Sequence, residues 1–387
     1  MTSPLSLSAR AFVLRAVFLC LSLLALPVSA QNPPGPVLNA KAWLLLDMAS
    51  GQVLASQNPA ERVEPASLTK LMTAYLTFAA LKSKLITLDQ KVPVSTVAWK
   101  AIGSRMFIQP KTPVTVAEAM RGMIVQSGND ASIALAELIG GSEDQFVVMM
   151  NREAQRMGMK GTSFKNSTGL PDPQHYTTAD DLAKLATAII RDYPDHYPLY
   201  SMKEYTYNNI TQPNRNRLLW LDPNVDGMKT GHTDSAGFCL IASAKRGPRR
   251  LLSVVLGTQS ESARSTESQK LLNHGFLAYD AVRLYEKGQS LSALEVWKGA
   301  QREVKVGFER ELFVTVPKGQ AEKLKATLVS QKPLLAPLAV GQKIGSMKVV
   351  LDGREVAEVP VVALEQVEAA GIFGRALDTM RLWFSKS

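Results

Sequence analysis

The period of the apolar residues changes near residue 285, and no single uniform fold accommodates such a change. Upstream, Leu68, Leu71, Met72, Tyr75 and Phe78 fall at helical spacing, so a helix begins near Ser67. Thr115 with Glu118, and Ser142 with Gln145, are capping-box signals ahead of two further helices. Residues 43–47, 53–56, 238–244 and 251–256 read as strands, and 267–281 as a last helix packed on them. Strands at both ends with helices between them predict one α/β sheet covered by helices. Downstream, Leu312, Val314 and Val316 alternate, as do Val349 and Leu351. Asp352-Gly353 is a hairpin turn signal, and Pro317, Pro333, Pro337 and Pro360 punctuate the stretch. That pattern predicts a short-stranded, all-β second domain of about 80 residues, and 387 residues are enough for both units.

The two ends differ from either unit. Arg10 and Arg15 precede a short apolar run over 16–26, and Pro27-Val28-Ser29-Ala30 closes it with small residues. A positive start, a short apolar middle and a small-residue exit read as a secretory signal peptide over 1–30. On a helical wheel, Ile372, Phe373, Ala376, Leu377, Met380, Trp383 and Phe384 fall in one sector of roughly 140°. Arg375, Asp378, Thr379 and Arg381 fall opposite, with Leu382 alone misplaced. Such a helix, over 369–387, suits a membrane interface; a helix docked on the β domain is the alternative.

The formal charge is +10, and +8 once the two arginines of the leader are gone. A basic surface invites nucleic acid, an anionic membrane or an acidic polymer; export makes nucleic acid an unsuitable partner. Cleavage also removes Cys20 and leaves Cys239 alone, so no disulfide forms within the mature chain, and a buried strand thiol is expected. His175, His196, His232 and His274 are scattered and supply no zinc motif.

Three short motifs follow one another in the helical unit. Ser67-Leu68-Thr69-Lys70 puts a hydroxyl and an amine three residues apart, on one helix face. A lysine activates a serine only if burial or a second cation lowers its pKa. Ser127-Gly128-Asn129 sits in a turn between helices 115–126 and 131–139, where a hydroxyl and an amide can be aimed into a cleft. Lys229-Thr230-Gly231 opens a strand region; an edge strand there can pair with an extended peptide, with Gly231 keeping the approach open. Lys229 is expected to be the second cation near Lys70. Each motif alone is common.

In this order, with 60 and 102 residues between first members, they resemble the triplet of active-site-serine penicillin-binding proteins and class A β-lactamases. The wider phrases are Pro65-Ala66 before Ser67, Asp130-Ala131 after Asn129, Asp226-Gly227-Met228 before Lys229, and His232-Thr233 after Gly231. With Arg264 ahead of Glu267-Ser268, they resemble the low-molecular-mass D-alanyl-D-alanine carboxypeptidases, serine peptidase family S11. The resemblance implies a penicillin-binding-protein/β-lactamase-like transpeptidase domain over 31–284, a β sandwich over 285–368 and an amphipathic anchor helix over 369–387. It implies Ser67 as nucleophile, Lys70 as its base and Ser127 as proton relay to the leaving amine. Asn129 would fix Lys70 and a substrate amide, while Lys229, Thr230 and Arg264 would hold the terminal carboxylate beside Gly231. The backbone N–H groups of Ser67 and His232 would form the oxyanion hole. No metal and no cofactor are implied; the expected partners are peptidoglycan pentapeptide stems, β-lactams and a membrane surface, at the periplasmic face of the cytoplasmic membrane.

Three other readings stand beside this one. A class A β-lactamase deacylates through a glutamate, and Glu204 with Asn208 fits that spacing but lies only 25 residues before Lys229. A DD-endopeptidase would use the same residues on cross-links. A non-catalytic wall-binding scaffold is the third, against which all motif positions are intact.

Overall fold

A computed structural model describes residues 33–384; the leader read over 1–30 lies outside them. The strands β1 (Ala42–Asp47), β2 (Val53–Gln57), β3 (Val225–Thr233), β4 (Gly237–Arg246) and β5 (Arg249–Thr258) form one antiparallel sheet in the order β2-β1-β5-β4-β3. Residues 48–52 turn β1 into β2, and the basic turn around Gly247 joins β4 to β5. Strand β1 is buried on both faces, so its side chains feed two cores. Leu44 points to one core with Ile241 and Val254, against the helices α1 (Lys70–Lys82), α2 (Val116–Val125), α3 (Asn129–Gly140), α4 (Glu143–Arg156) and α5 (Ala179–Asp192). Trp43 and Leu45 point to the other, where α6 (Glu261–Ala278) brings Leu271 and Leu272. A Cβ at Gly275 of α6 would lie 2.6 Å from Leu251, which shows how closely that helix rides the sheet. The α/β sheet covered by helices is present.

The capping signals at Thr115 and Ser142 do their predicted work. Thr115 and Glu118 exchange both bonds of a capping box, and Ser142 accepts the N–H of Gln145. Two local expectations shift. Ser67 lies on a 3-10 turn, Ala66–Thr69, entered through Ala66 at a left-handed φ of 47°, with α1 starting only at Lys70. The last helix runs Glu261–Ala278, not to residue 281. Tyr279 instead opens a strand, Tyr279–Tyr285, that pairs with Leu312–Pro317, and its buried ring donates its hydroxyl to the Leu54 carbonyl.

That short pair and a six-stranded sheet enclose a separate apolar cluster built on Val304, Val306, Val314, Val349 and Val361. Asp352 and Gly353 both take positive φ, 47° and 83°, as a tight turn between Lys343–Leu351 and Arg354–Ala363 requires. Beyond it, helix α7 (Ile372–Phe384) lies back along the β domain. Asp378 accepts the Lys298 N–H at 2.7 Å, and Leu382 joins Trp297, Pro333 and Leu334 around a cavity of about 500 Å³. The residue that the wheel left off the apolar stripe thus faces the β domain, as Asp378 does. Ile372, Phe373, Leu377, Met380 and Trp383 are exposed. Among the described residues no helix is long and apolar enough to cross a membrane.

Candidate active site

The three motifs converge on one cavity of about 340 Å³, between the sheet edge and the helices of the larger core. Strand β3 is the sheet's edge, and Lys229, Thr230 and Gly231 lie within it. A Cβ at Gly231 would meet the Pro65 carbonyl at 3.0 Å and Leu68 at 3.2 Å, so glycine lets this strand press against the turn that carries Ser67. Ser127 follows α2 with a left-handed φ of 67°, which swings its side chain away from the helix and into the cavity. Asn129 then opens α3.

The polar contacts form two lysine–serine pairs. Lys70 Nζ donates to Ser67 Oγ at 3.1 Å, and to Asn129 Oδ1 and the Thr168 carbonyl, both at 2.6 Å. Lys229 Nζ donates to Ser127 Oγ and to the Thr230 carbonyl, both at 3.0 Å. Both lysines are buried, while Ser67 is partly open to the cavity. Burial, aided by the Arg215 guanidinium, pushes the Lys70 amine down to about 7, with Asp130 and Glu143 pulling the other way. Lys229 is held well below the usual lysine range, first by burial and then by Lys70, Arg215 and Arg264. The cation that lowers Lys70 is therefore Arg215 and not the expected Lys229, which is itself lowered by Lys70 and Arg215.

Arg264 is buried on α6 and lines the cavity. Its Nη2 donates to the Arg215 carbonyl at 3.2 Å and to Glu261 at 3.1 Å, leaving buried Nε without a partner. His232 is exposed and stacks on Phe238 at 3.9 Å, so the imidazole covers the rim. Thr69, behind the Ser67 turn, shares a 2.9 Å hydrogen bond with His175 Nε2, whose ring burial pushes down to about 4. Cys239 is a buried strand thiol, pushed up to about 11 by burial.

The structure adds residues that sequence reasoning did not single out. Ser104, Arg215 and the segment Thr168, Gly169 and Leu170 also line the cavity. Asp130 accepts the N–H groups of Met106, Phe107 and Ile108 at 3.0, 2.7 and 3.2 Å, fixing the loop that bears Ser104. Asn129 N–H reaches the Ser104 carbonyl and its side chain the Ile102 carbonyl. Asp130 stood beside the second motif as a signal; Arg215 and residues 168–170 carried none.

A serine hydroxyl held by a buried lysine whose pKa is lowered to about 7, in a cavity edged by a β-strand, defines an active-site-serine hydrolase. The chain belongs to the D-alanyl-D-alanine carboxypeptidase family, peptidase family S11, whose profile matches residues 28–260. Residues 279–369 match the C-terminal domain of penicillin-binding protein 5. The D-alanyl-D-alanine carboxypeptidase DacC of Escherichia coli is 43% identical over 363 residues, covering 92% of this chain and 90% of that one. Among solved structures, penicillin-binding protein 5 from Haemophilus influenzae superposes with a TM-score of 0.83 at 42% identity, over 87% of this chain and 99% of that one. Penicillin-binding protein D2 from Listeria monocytogenes, in its ampicillin-bound form, gives 0.58 at 30% identity, over 63% of this chain and all of the other.

Proposed function

We propose that Ser67, Lys70 and Ser127 remove the terminal D-alanine from peptidoglycan pentapeptides through an acyl-enzyme. As a member of its family the protein is a serine-type D-alanyl-D-alanine carboxypeptidase. Lys70 takes the Ser67 proton as Oγ attacks the penultimate D-Ala carbonyl, and its lowered pKa leaves an unprotonated fraction at neutral pH. Ser127, held by Lys229, relays a proton to the leaving amine. The backbone N–H groups of Ser67 and His232 take the oxyanion. Lys229, Thr230 and the Arg264 fork hold the terminal carboxylate, and the edge strand around Gly231 pairs with the peptide. Asn129 fixes Lys70 and a substrate amide. Water then hydrolyses the ester, and a β-lactam acylates the same serine.

The observation that carries this reading is Lys70 Nζ, fixed by two 2.6 Å acceptors and aimed at Ser67 Oγ. Glu204, the candidate for β-lactamase-type deacylation, lies on an exposed hairpin, and no carboxylate is among the residues lining the cavity. The test is mass analysis of a muropeptide pentapeptide. Loss of one alanine is expected, whereas cleaved cross-linked dimers would mean endopeptidase action. Ser67→Ala should abolish both hydrolysis and covalent labelling by penicillin; retention of both would sink the assignment.

The protein is also proposed to be exported after cleavage of 1–30 and to rest peripherally on the periplasmic face of the cytoplasmic membrane. What supports this is α7, whose exposed Ile372, Phe373, Leu377, Met380 and Trp383 are flanked by Arg375 and Arg381. Deleting 370–387 should release the protein from anionic vesicles while activity on a soluble peptide persists. A truncated protein that still sediments with vesicles would refute the anchor.

A further inference from the structure

The Thr168 carbonyl is one of the two acceptors that hold Lys70 Nζ at 2.6 Å, and its placement depends on the five-residue segment 166–170. Within that segment, Asn166 Oδ1 accepts the N–H groups of Thr168, Gly169 and Leu170, gathering the chain into a tight curl. Gly169, at φ 88°, presses so closely on the Ser67 turn that a Cβ would lie 1.8 Å from the Ala66 carbonyl oxygen. Buried Ser167 fastens the curl to three helices at once. Its carbonyl accepts Thr73 Oγ1 of α1 and Ser132 Oγ of α3, both at 2.7 Å. Its N–H and hydroxyl both donate to one oxygen of Glu143, on the first turn of α4, at 2.9 and 2.6 Å. Glu143 does not line the cavity.

We infer that Glu143 is a positioning residue for acylation: through Ser167 it sets where the Thr168 carbonyl holds the Lys70 amine. The inference rests on the assignment of Lys70 as the base for Ser67. Two hydrogen bonds from one residue to one carboxylate oxygen are charge-assisted and short, so they fix Ser167 more firmly than a neutral acceptor would. The groups facing Lys70 are Asp130 on α3, Glu143 on α4, Lys229 on β3 and Arg215 from the segment before residue 218. Of these, Glu143 joins a mechanical link to the Lys70 acceptor with a charge that favours the protonated amine. Removing the charge should therefore make the amine lose its proton at lower pH.

The test is the second-order rate of acylation by a fluorescent penicillin, measured from pH 5 to 9 on the full chain. Glu143→Gln keeps an acceptor for the Ser167 N–H but no charge. It should retain the wild-type rate above pH 8 within about threefold and move the acidic limb down by roughly half a pH unit. Glu143→Ala removes the tether as well and should acylate about tenfold more slowly across the range. If Glu143→Ala fails to fold, the Glu143→Gln profile alone decides. Wild-type rates and limbs in both variants would overturn the inference. So would an equal loss in both with no shift of the limb, which would reduce Glu143 to support of the fold. Ser67→Ala run alongside separates the two levels. Covalent labelling of that variant would sink the assignment of the nucleophile, whereas an unlabelled Ser67→Ala with an unshifted Glu143→Gln would sink only the role of Glu143.

Discussion

Lysines in the two halves of this molecule live in opposite conditions. Lys70 and Lys229 are buried in the catalytic domain and donate only to serines, an asparagine and carbonyls. Lys323 and Lys348 of the β domain pair with Asp352 and Glu355 through partly exposed side chains. Exposed pairs of that kind contribute about 0–1 kcal/mol. Burying a lysine without a carboxylate partner works against folding, so a fold that does it twice in one cavity is giving up stability for reactivity. The division extends beyond lysines. Among the described residues, buried polar side chains crowd the catalytic domain, whereas the β domain contributes Thr315 alone.

The largest break in that contrast should come from Lys70. Lys70→Ala is expected to lower the acylation rate by about a thousandfold, the scale of a general base. In the wild type, the rate should climb as pH rises through about 7, where the amine loses its proton. Stability follows the same group with a definite sign. The folded pKa of about 7 lies below the ordinary 10.5, so between those values the unfolded chain binds the extra proton. The contribution of Lys70 is thus full above pH 10.5 and lost as pH falls to 7. Lys229 adds to it in the same direction. Denaturation at pH 7 and pH 9 measures this; a wild type that gains no more stability from pH 7 to pH 9 than Lys70→Ala does would contradict the buried neutral amine.

A smaller effect is expected at Gly169, which sharpens the contrast by acting on backbone. An alanine there meets the Ala66 carbonyl and a disfavoured φ together, so Gly169→Ala should cost about 3 kcal/mol of stability. As the Thr168 carbonyl is displaced from Lys70, acylation should slow by about a hundredfold. Thermal unfolding and penicillin-labelling rates test the two parts separately. A stable variant with wild-type labelling would show that the curl over 166–170 is not coupled to the site.

How far the sequence reaches differs between the halves for the same reason. The motifs around Ser67, Ser127 and Lys229 are legible because each lies within a few residues on a turn or strand, where spacing dictates direction. Thr115 and Ser142 are legible as caps because capping is local. Arg215 and Thr168 come to the cavity on irregular segments whose path is set by distant partners, Arg264 for one and Glu143 through Ser167 for the other. No periodicity marks such residues. The helix ending at Ala278 was equally hidden, since the Tyr279 ring is fixed by Leu54, 225 residues away. The wheel of α7 separated its faces correctly, yet the odd position of Leu382 acquires meaning only with the β domain beside it.

The smallest predicted effect lies where the two halves meet. Thr315, the buried polar residue of the β domain, spends its hydroxyl on Ser50 at 2.8 Å. Its backbone is read by Gln52, which accepts the Thr315 N–H at 2.6 Å and donates at 3.3 Å to the carbonyls of Thr315 and Val356. Gln52 follows β1 in the turn to β2, on the opposite side of the sheet order from the edge strand that carries Lys229. Gln52→Ala removes three hydrogen bonds, two of them long, and should cost about 1–2 kcal/mol. Because no residue of the β domain lines the active-site cavity, penicillin acylation and hydrolysis of a short soluble peptide should stay within twofold of wild type. Differential scanning calorimetry should show the loss as earlier unfolding of the β domain. A hydrolysis rate that fell with it would mean that the buried lysines depend on the domain that buries none.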